Sequence, residues 1–232
     1  MTEPTGYPIK NQLLSALPAK AYERLLPHLQ PIEMSSGRVL FELGDEIKHI
    51  YFPLNSLISL VLEMSDGVTI EVGVVGNDGA AGLTAMLGQS RAINRAIVQI
   101  PNGGVQIKTA ILQEEFDRAE DLQMLMHRYT VSLLTQVSQT AACNNHHRVE
   151  ERLARWLLMC HDRVGSDEFN LTQEFIANMI GAHRPTVSTA ASALQNEGLI
   201  KYSRGLITVL NRRGLESFAC ECYQAQRTMP LA

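Results

Sequence analysis

The chain has 232 residues, which is longer than one typical domain and enough for two modest ones. A hydrophobic fraction of 45% and a charged fraction of 19% are ordinary for a soluble protein, and no apolar run is long enough to span a bilayer. Residues 1–10 lack the basic and apolar regions of a secretory signal, so we expect a cytoplasmic protein without a membrane partner. The net charge of −4 is uneven: residues 1–144 hold 10 Lys and Arg against 15 Asp and Glu, and residues 145–232 hold 10 against 9.

The first half of the chain changes from helical to strand-like periodicity near Pro31. Apolar residues before that point, interrupted by Pro18 and Pro27, predict short helices. Short β-prone runs follow at residues 39–41, 49–52, 57–62, 68–75, 96–100 and 105–107. Turn signals lie between them at residues 44–45, 66–67, 77–79 and 102–104. This series predicts a compact β-barrel or double-sheet roll.

Helical periodicity begins near Thr109 and continues to about Val164. It contains an apolar stripe of Leu122, Leu125, Met126, Tyr129, Leu133, Leu134, Val137 and Ala141. The stripe predicts a helix of about six turns, too apolar to lie alone on the roll, so we expect it to pair with its copy in a second subunit. Gln136 and Thr140 on this side either set the register of that pair or face solvent. A further helix is predicted at residues 150–163, with a domain boundary near residues 144–147.

Residues 171–200 have the pattern of two short helices joined by a glycine turn. Thr172 is a candidate N-cap of a buried support helix that ends at Gly181. The second helix begins near Pro185, and Val187, Ala191 and Leu194 face the first helix. Its other side chains include Arg184, Thr186, Ser188, Thr189 and Ser192. Small hydroxyls behind one arginine can enter a major groove, although helical hairpins of this kind also occur in bundles.

Residues 201–210 predict a β-hairpin around Arg204-Gly205, the wing that follows such a unit. Residues 171–213 hold 5 Lys and Arg against 2 Asp and Glu, so positive charge gathers around the proposed reading helix. A solvated surface of mixed charge is the alternative interpretation.

The order of these elements resembles the catabolite activator and fumarate-nitrate regulator (CRP/FNR) superfamily over nearly the whole chain. The motifs that carry the resemblance are Glu150-Glu-Arg-Leu-Ala-Arg-Trp-Leu-Leu158, Leu171-Thr-Gln-Glu-Phe-Ile-Ala177, Arg184-Pro-Thr-Val-Ser188 and Glu197-Gly-Leu-Ile200. The resemblance implies an α+β fold: a cyclic-nucleotide-binding-like jelly roll at residues 1–118, a dimerisation helix at 119–145 and a winged helix-turn-helix domain at 146–232. It further implies a homodimeric transcription regulator that binds a near-palindromic operator in double-stranded DNA and contacts RNA polymerase.

The DNA-binding residues indicated by this resemblance are Thr172, Gln173, His183, Arg184, Thr186, Ser188, Thr189, Lys201 and Arg204. In that family the recognition helix commonly begins Arg-Glu-Thr-Val, and Arg184 matches the first position. Its guanidinium can contact guanine O6 and N7 with two hydrogen bonds. Pro185 stands where the family has Glu, and Thr189 stands where it has a second Arg. We therefore expect a different operator.

The effector site of similar cyclic-nucleotide-binding proteins has the form Gly-Glu-x-(Ala/Gly)-Leu, followed by Arg-(Ser/Thr)-Ala. Aligned on Gly82, the ribose-binding Glu becomes Leu83 and the Arg-Ser pair becomes Asn94-Arg95. Because strand residues alternate between faces, a shift of one residue turns Arg95 away, and cyclic AMP binding through the usual residues is not expected. The candidate effector pocket consists of Gly82, Leu83, Thr84, Asn94 and Arg95. Its small-molecule ligand is unknown.

The four cysteines have spacings that match no zinc pattern, and the N-terminal cysteines that hold an iron–sulfur cluster in oxygen-sensing members are absent. Cys143 and His147 lie one helical turn apart and would permit a metal or haem ligand set, but the segment is also typical of a solvated helix end. Cys220 and Cys222 are expected on one helix, where residues two apart do not face each other. We therefore predict no metal site, and no cofactor is assigned.

Other functions stay open at this stage. No nucleophile lies at a useful spacing from a base, and no Walker or Rossmann fingerprint occurs, so an enzyme is not predicted. The chain could instead be a regulatory subunit whose roll binds a small molecule and whose C-terminal helices dock on a protein, or a regulator that senses metal or redox state. DNA binding that weakens steeply with salt would separate a DNA reader from the docking subunit.

Overall fold

Seven short strands form a roll (residues 30–108) in the computed structural model, which describes residues 10–118 and 120–227. The strands are β1 (Gln30–Met34), β2 (Val39–Phe41), β3 (His49–Pro53), β4 (Leu57–Glu63), β5 (Thr69–Val75), β6 (Arg95–Ile100) and β7 (Asn102–Lys108). They make two antiparallel sheets with strand orders β1-β7-β3 and β2-β6-β4-β5. Strands β2 to β7 coincide with the six predicted runs to within three residues, so the double-sheet roll is confirmed.

The interior of the roll is apolar because alternate strand residues point into it. Ile50 and Phe52 on β3 have no exposed surface. The N-terminal helices α1 (Gln12–Ser15) and α2 (Ala19–Leu25), followed by a 3-10 turn at Leu26–His28, add Leu13 and Leu25 to the same core. Buried Asn11 fixes α1 to the roll, since its side chain caps Leu14 N and donates to the carbonyl oxygens of Pro53 and Gly79.

The prediction of a turn at residues 102–104 is wrong, because Asn102 begins β7 and pairs with Met34 of β1. A Cβ at Gly104 would lie 2.3 Å from the Met34 Cε atom. Gly104 therefore allows close packing inside a strand here and does not form a turn. Strand β1 itself was not predicted.

Helix α3 (Thr109–Arg118) leads from the roll to the long helix α4 (Glu120–His146), whose 27 residues span about 40 Å. Only part of the predicted apolar stripe is free to face a second subunit. Leu122, Leu125, Met126 and Tyr129 are buried in the roll core of the same chain, and Leu133 packs against it. Helical periodicity reveals an apolar face but not its partner, so the sequence could not separate these two contacts.

Gln136 and Thr140 also bond within the chain, and both interpretations offered from the sequence are wrong. Gln136 is buried and bonds through both ends of its amide to the backbone of Val74 on β5. Thr140 is buried and accepts from Arg155 at 3.5 Å. Among the described residues of α4, the large apolar side chains that are exposed are Met124, Val131 and Leu134, at 51%, 54% and 64%.

The C-terminal region, here called the reading head (residues 149–227), contains five helices and a three-stranded sheet. The helices are α5 (Val149–Val164), α6 (Gln173–Ile180), α7 (Arg184–Asn196), α8 (Arg212–Phe218) and α9 (Cys222–Arg227). Strands β8 (Glu168–Asn170), β9 (Ile200–Ser203) and β10 (Leu206–Val209) pair in the order β8-β10-β9. The predicted helix-turn-helix and wing are confirmed, and β8 is an additional strand.

The reading head and the roll share an apolar core. Leu57, Val61, Val74 and Ile100 of the roll pack with α5, α6 and α7 residues around Trp156. The turn between α4 and α5 at His147-Arg148 lies at the predicted boundary, yet burial continues across it. Within the described ranges, no helix is both long and apolar enough to cross a membrane.

Candidate nucleic-acid interface, effector cavity and thiol cluster

The helix-turn-helix is fixed by caps at both ends of α6. Thr172 Oγ1 accepts a hydrogen bond from Phe175 N at 3.2 Å, as predicted for an N-cap. Gly181 ends the helix with a φ of 59°, a left-handed conformation that glycine adopts without a Cβ penalty. Buried Arg152 of α5 donates to the carbonyl oxygens of Ile180 and Gly181, and at 2.9 Å to Asn144 O. Because Arg152 lies about 30 residues before the turn it stabilises, the sequence did not indicate this role.

Helix α7 has one buried and one exposed face. Val187, Ala191 and Leu194 are buried against the support helix, as expected, and Ala190 joins them. The exposed side chains of α7 and of its N-cap are His183, Arg184, Pro185, Thr186, Thr189, Ser192 and Asn196. This face does not belong to the core shared with the roll.

The hydroxyl groups on α7 are oriented by bonds within the helix. Thr189 Oγ1 donates to Pro185 O at 3.2 Å, and Ser192 Oγ donates to Ser188 O at 2.9 Å. Since each hydroxyl donates inward to its own helix, its oxygen remains able to accept from a ligand. Ser188 is half-buried, and its Oγ accepts from Gln173 Nε2 at 3.4 Å, so these two candidate DNA contacts are tied to each other.

The wing turns at Arg204-Gly205, where both residues have positive φ, 51° and 83°. Ser203 pairs with Leu206, so the hairpin loop has two residues and a primed turn. Tyr202 Oη donates to Leu171 O at 2.9 Å, which ties the wing to the start of the helix-turn-helix. Arg204 therefore lies at the tip of a two-residue turn.

A surface groove of about 560 Å³ lies between the wing and the two helices. Its lining residues are Thr172, Gln173, Glu174, Arg184, Tyr202, Arg204 and Gly205. Lys201 is exposed on neighbouring β9. Within the described ranges, Arg184, Lys201 and Arg204 form no ion pair or side-chain hydrogen bond, whereas most other arginines of the reading head do. Unpaired cations at a groove can bind a polyanion, and Glu174 is the one acid in the lining.

The roll contains an apolar cavity of about 370 Å³ between its strands and α4. The cavity is lined by four residues of the candidate effector pocket, Gly82, Leu83, Thr84 and Asn94. Apolar residues such as Leu60, Val72 and Tyr129 also line it. Arg95 is not part of the lining, and its Nε lies 3.2 Å from Glu42 Oε2. None of the described lining residues is charged.

A buried polar cluster joins the roll to the reading head. Trp156 Nε1 donates to Glu71 Oε1 at 3.0 Å, and Ser59 Oγ lies 2.6 Å from Glu71 Oε2. Burial raises the pKa of Glu71 to about 7, although the hydrogen bonds from Ser59 and Trp156 and the charge of Arg155 oppose this shift. Arg163 of α5 also pairs with Asp78 of the roll at 2.7 Å.

The side chains of Cys143, His147, Cys220 and Cys222 meet in a group here called the thiol cluster, with ligand atoms all within 4.8 Å of one another. The expectation that Cys220 and Cys222 share a helix is wrong. Helix α8 ends at Phe218, Ala219 is extended, and α9 begins only at Cys222. His147 is also largely buried, with 13% of its side chain exposed, so the interpretation of this residue as part of a solvated helix end fails.

Comparisons with known proteins agree on one class. Residues 151–218 match the model of the Crp-like helix-turn-helix domain. The transcriptional regulatory protein btr of Bordetella pertussis is 25% identical over 208 residues, covering 86% of this chain and 86% of btr. The global nitrogen regulator of a Nostoc species is 24% identical over 183 residues, covering 75% of this chain and 82% of that protein. The solved structure of FixK2 from Bradyrhizobium japonicum has a TM-score of 0.71 at 16% identity, covering 83% of this chain and 98% of FixK2.

The fold is that of a winged helix-turn-helix protein with an N-terminal β-roll, and the surface groove between its wing and helices is here called the reading groove. The domain match and these relatives support a DNA-binding transcription regulator of CRP/FNR type, and proteins of that type are regulators of transcription and not enzymes. The recognition made from the sequence is confirmed at this level. The roles of individual DNA-binding and pocket residues remain predictions.

Proposed function

We propose that the chain acts as a homodimer that reads a near-palindromic operator with the α7 helix of each subunit. The observation that carries this proposal is the exposed face of α7, which combines unbonded Arg184 with hydroxyl oxygens free to accept. A major groove admits one α-helix, and two-fold related helices contact half-sites one helical turn, ~34 Å, apart. The shared core leaves this face free for DNA.

Arg184 carries most of the direct base readout in this proposal, through guanine O6 and N7. Thr186 and Thr189 make short hydroxyl or methyl contacts, while Lys201 and Arg204 on the wing contact phosphates. His183, Thr172 and Gln173 lie beside the same groove and complete the proposed interface.

We propose that dimerisation uses the exposed face of α4, within residues 119–145; residue 119 lies outside the described part of the chain. Residues of this face follow alternating spacings of three and four and are all exposed: Met124, His127, Val131, Leu134, Ser138, Ala141 and Asn145. That spacing is the heptad seam of a coiled coil. Met124, Val131 and Leu134 are large apolar side chains that a second copy would cover.

The roll would hold an uncharged and largely apolar effector. Its cavity lacks a described cation that could neutralise a cyclic phosphate, and Arg95 is paired with Glu42. Because Tyr129, Leu133 and Leu134 of α4 line the same cavity, a ligand there would bias the arrangement of the dimer helices and hence the spacing of the two reading heads. Calorimetric titration with cyclic AMP is expected to show no binding, and native mass spectrometry of the purified chain would detect a retained ligand.

The domain assignment that accompanies this proposal is a roll at residues 1–118, a dimerisation helix at 119–145 and a DNA-binding domain at 146–232. RNA polymerase is retained as a partner through the family resemblance alone. A regulator that binds DNA in this way would act in the cytoplasm.

The test is fluorescence anisotropy with an operator selected from random DNA, measured over a salt series. We expect specific binding that weakens steeply with salt, and Arg184→Ala should cost ~1–3 kcal/mol at the specific site. Arg213→Ala is the matched control, because Arg213 is an exposed arginine on α8 that does not line the groove. Equal losses in the two variants, or binding indifferent to salt, would contradict the proposal and favour a protein-docking subunit.

A further inference from the structure

The thiol cluster brings together two segments that are far apart in sequence. Cys143 lies in the last turn of α4 and His147 directly after it. Cys220 lies in the connection between α8 and α9, and Cys222 begins α9. The Sγ atoms of Cys143 and Cys220 are 3.6 Å apart, and Cys222 Sγ lies 3.6 Å from His147 Nδ1. All three cysteines are buried, and none is in a disulfide.

These separations match the edges of a tetrahedral metal site. Zn²⁺ binds thiolate sulfur at about 2.3 Å and imidazole nitrogen at about 2.0 Å, so sulfur–sulfur and sulfur–nitrogen edges are about 3.8 and about 3.5 Å. Three thiolates and one imidazole form a ligand set typical of structural zinc sites. Because the four ligand atoms lie within 4.8 Å of one another, a single ion could contact all of them.

The surrounding groups orient the ligands as they do around known metal sites. His147 Nε2 lies 3.1 Å from Glu221 Oε1, which directs Nδ1 towards the sulfurs. A carboxylate on the far nitrogen of a metal-binding histidine fixes its tautomer and ring orientation. Gln139 Nε2 donates to Cys222 Sγ at 2.9 Å, a bond that favours the thiolate.

The charge of such a site would also be balanced. Three thiolates with one divalent cation carry a net charge of −1. Arg155 of α5 is 2% exposed, and its charge acts on Cys143. Within the described ranges it has no ion pair, its Nε has no partner, and its one hydrogen bond is to Thr140 Oγ1. The charge of Arg155 also acts on Glu71, but these two described residues form no ion pair. A buried guanidinium without an ion pair is costly, and an anionic metal–thiolate group beside it would reduce that cost.

We propose that Cys143, His147, Cys220 and Cys222 bind one Zn²⁺ ion in tetrahedral coordination. The ion would join the end of the proposed dimer helix to the α8–α9 connection, across the turn at His147-Arg148. It would thereby restrain the reading head relative to α4. The restraint on the reading head matters only if the proposed function holds, whereas the metal site itself does not depend on that function.

Metal binding is measured on the full chain, purified under reducing conditions and dialysed, by elemental analysis and by titration of the metal-free form with Co²⁺. We expect about one Zn²⁺ per chain and, with Co²⁺, the intense visible absorption of a tetrahedral thiolate complex. Cys222→Ser and His147→Gln should lower the affinity for Co²⁺ at least tenfold. His146→Gln is the matched control, since His146 is the exposed neighbouring histidine.

The wild-type titration keeps the proposal falsifiable even if a variant fails to fold. Absence of bound metal together with absence of the Co²⁺ spectrum in the folded wild-type chain would overturn the site. Equal affinities of Cys222→Ser and His146→Gln would also overturn it. Circular dichroism of each form verifies the fold.

Coupling to DNA is measured separately, as operator affinity with and without Zn²⁺. A change in affinity that His147→Gln abolishes supports the coupling. Stoichiometric Co²⁺ binding with unchanged operator affinity would support the site and overturn the coupling. Loss of DNA binding in both metal states would count against the proposed function and leave the metal result intact.

Discussion

The roll cavity and the reading groove belong to one chain but differ in chemistry. The cavity is lined mainly by apolar side chains and has no charged residue among its described lining. The groove is open and polar, and Arg184 and Arg204 in it have no partner among the described residues. Ligand binding in the cavity is favoured by the burial of apolar surface. Binding of a polyanion in the groove is favoured by the release of counterions. The two regions are therefore suited to different ligands.

The regions are nevertheless joined by buried polar contacts. Glu71 of the roll accepts from Trp156 in the middle of α5, and Asp78 pairs with Arg163 near the C-terminal end of the helix. A Cβ at Gly76 would lie 2.3 Å from the Arg163 Cβ, so the two surfaces are in close contact. The roll and the reading head are therefore in direct contact.

The largest expected effect comes from separating the subunits. The double variant Val131→Glu with Leu134→Glu places charges on the exposed face of α4, and we expect a monomer by analytical ultracentrifugation. Operator affinity should fall by ~10²–10⁴-fold, because two linked reading heads bind with a high effective concentration. Leu43→Glu is the control, since Leu43 is a 60% exposed leucine of the roll and not a residue of α4. A dimeric double variant would exclude this face as the interface.

The contact between roll and reading head should make stability depend on pH through Glu71. The pKa of Glu71 is raised from 4.5 to about 7, so the folded chain holds a proton that the unfolded chain releases. This contribution is fully present below pH 4.5 and is lost as pH rises to about 7, by up to about 3 kcal/mol.

Urea unfolding from pH 4.5 to 8 tests this dependence in wild type and Glu71→Gln. The glutamine can imitate the protonated acid, since its oxygen accepts from Trp156 and its amide can donate to Ser59. The difference in free energy of unfolding between wild type and Glu71→Gln should therefore change from pH 4.5 to 8. Glu63→Gln, at an exposed acid, should parallel wild type. Parallel curves for Glu71→Gln would show that Glu71 is ionised throughout.

A smaller effect is expected from Arg184→Lys, which keeps the charge of the groove but loses the two-pronged guanidinium. Specific operator affinity should fall by ~1 kcal/mol or more, and affinity for random DNA should stay within error. Competition binding at constant salt measures both values. Equal losses on both DNAs would indicate that Arg184 contacts phosphate instead of a base.

The smallest effect is expected from Lys201→Ala on the wing. Losing one phosphate contact should weaken binding to all sequences alike and reduce the slope of log affinity against log salt by about one. Lys108→Ala, at an exposed lysine of the roll, should leave the slope unchanged. A sequence-dependent loss for Lys201→Ala would contradict its role as a phosphate contact.

The sequence predicted features that depend on neighbouring residues and missed those that depend on distant ones. Thr172, Gly181 and Arg204-Gly205 act within a few residues of themselves, so their caps and turn could be read directly. In the sequence, both apolar faces of α4 appear as residues three or four apart. This spacing does not reveal which face packs on the roll and which is free for a second subunit. The thiol cluster joins Cys143 and Cys220 across 77 residues, and it requires a helix break at Ala219 that no local signal indicated.

Selection of bound sequences from a random DNA pool tests the central claim most directly. A dimer that reads DNA with α7 should enrich two inverted half-sites whose centres are about one helical turn apart, each with a guanine that Arg184→Ala no longer selects. Enrichment of a single unpaired half-site, or the same selected sequence from wild type and Arg184→Ala, would contradict the account.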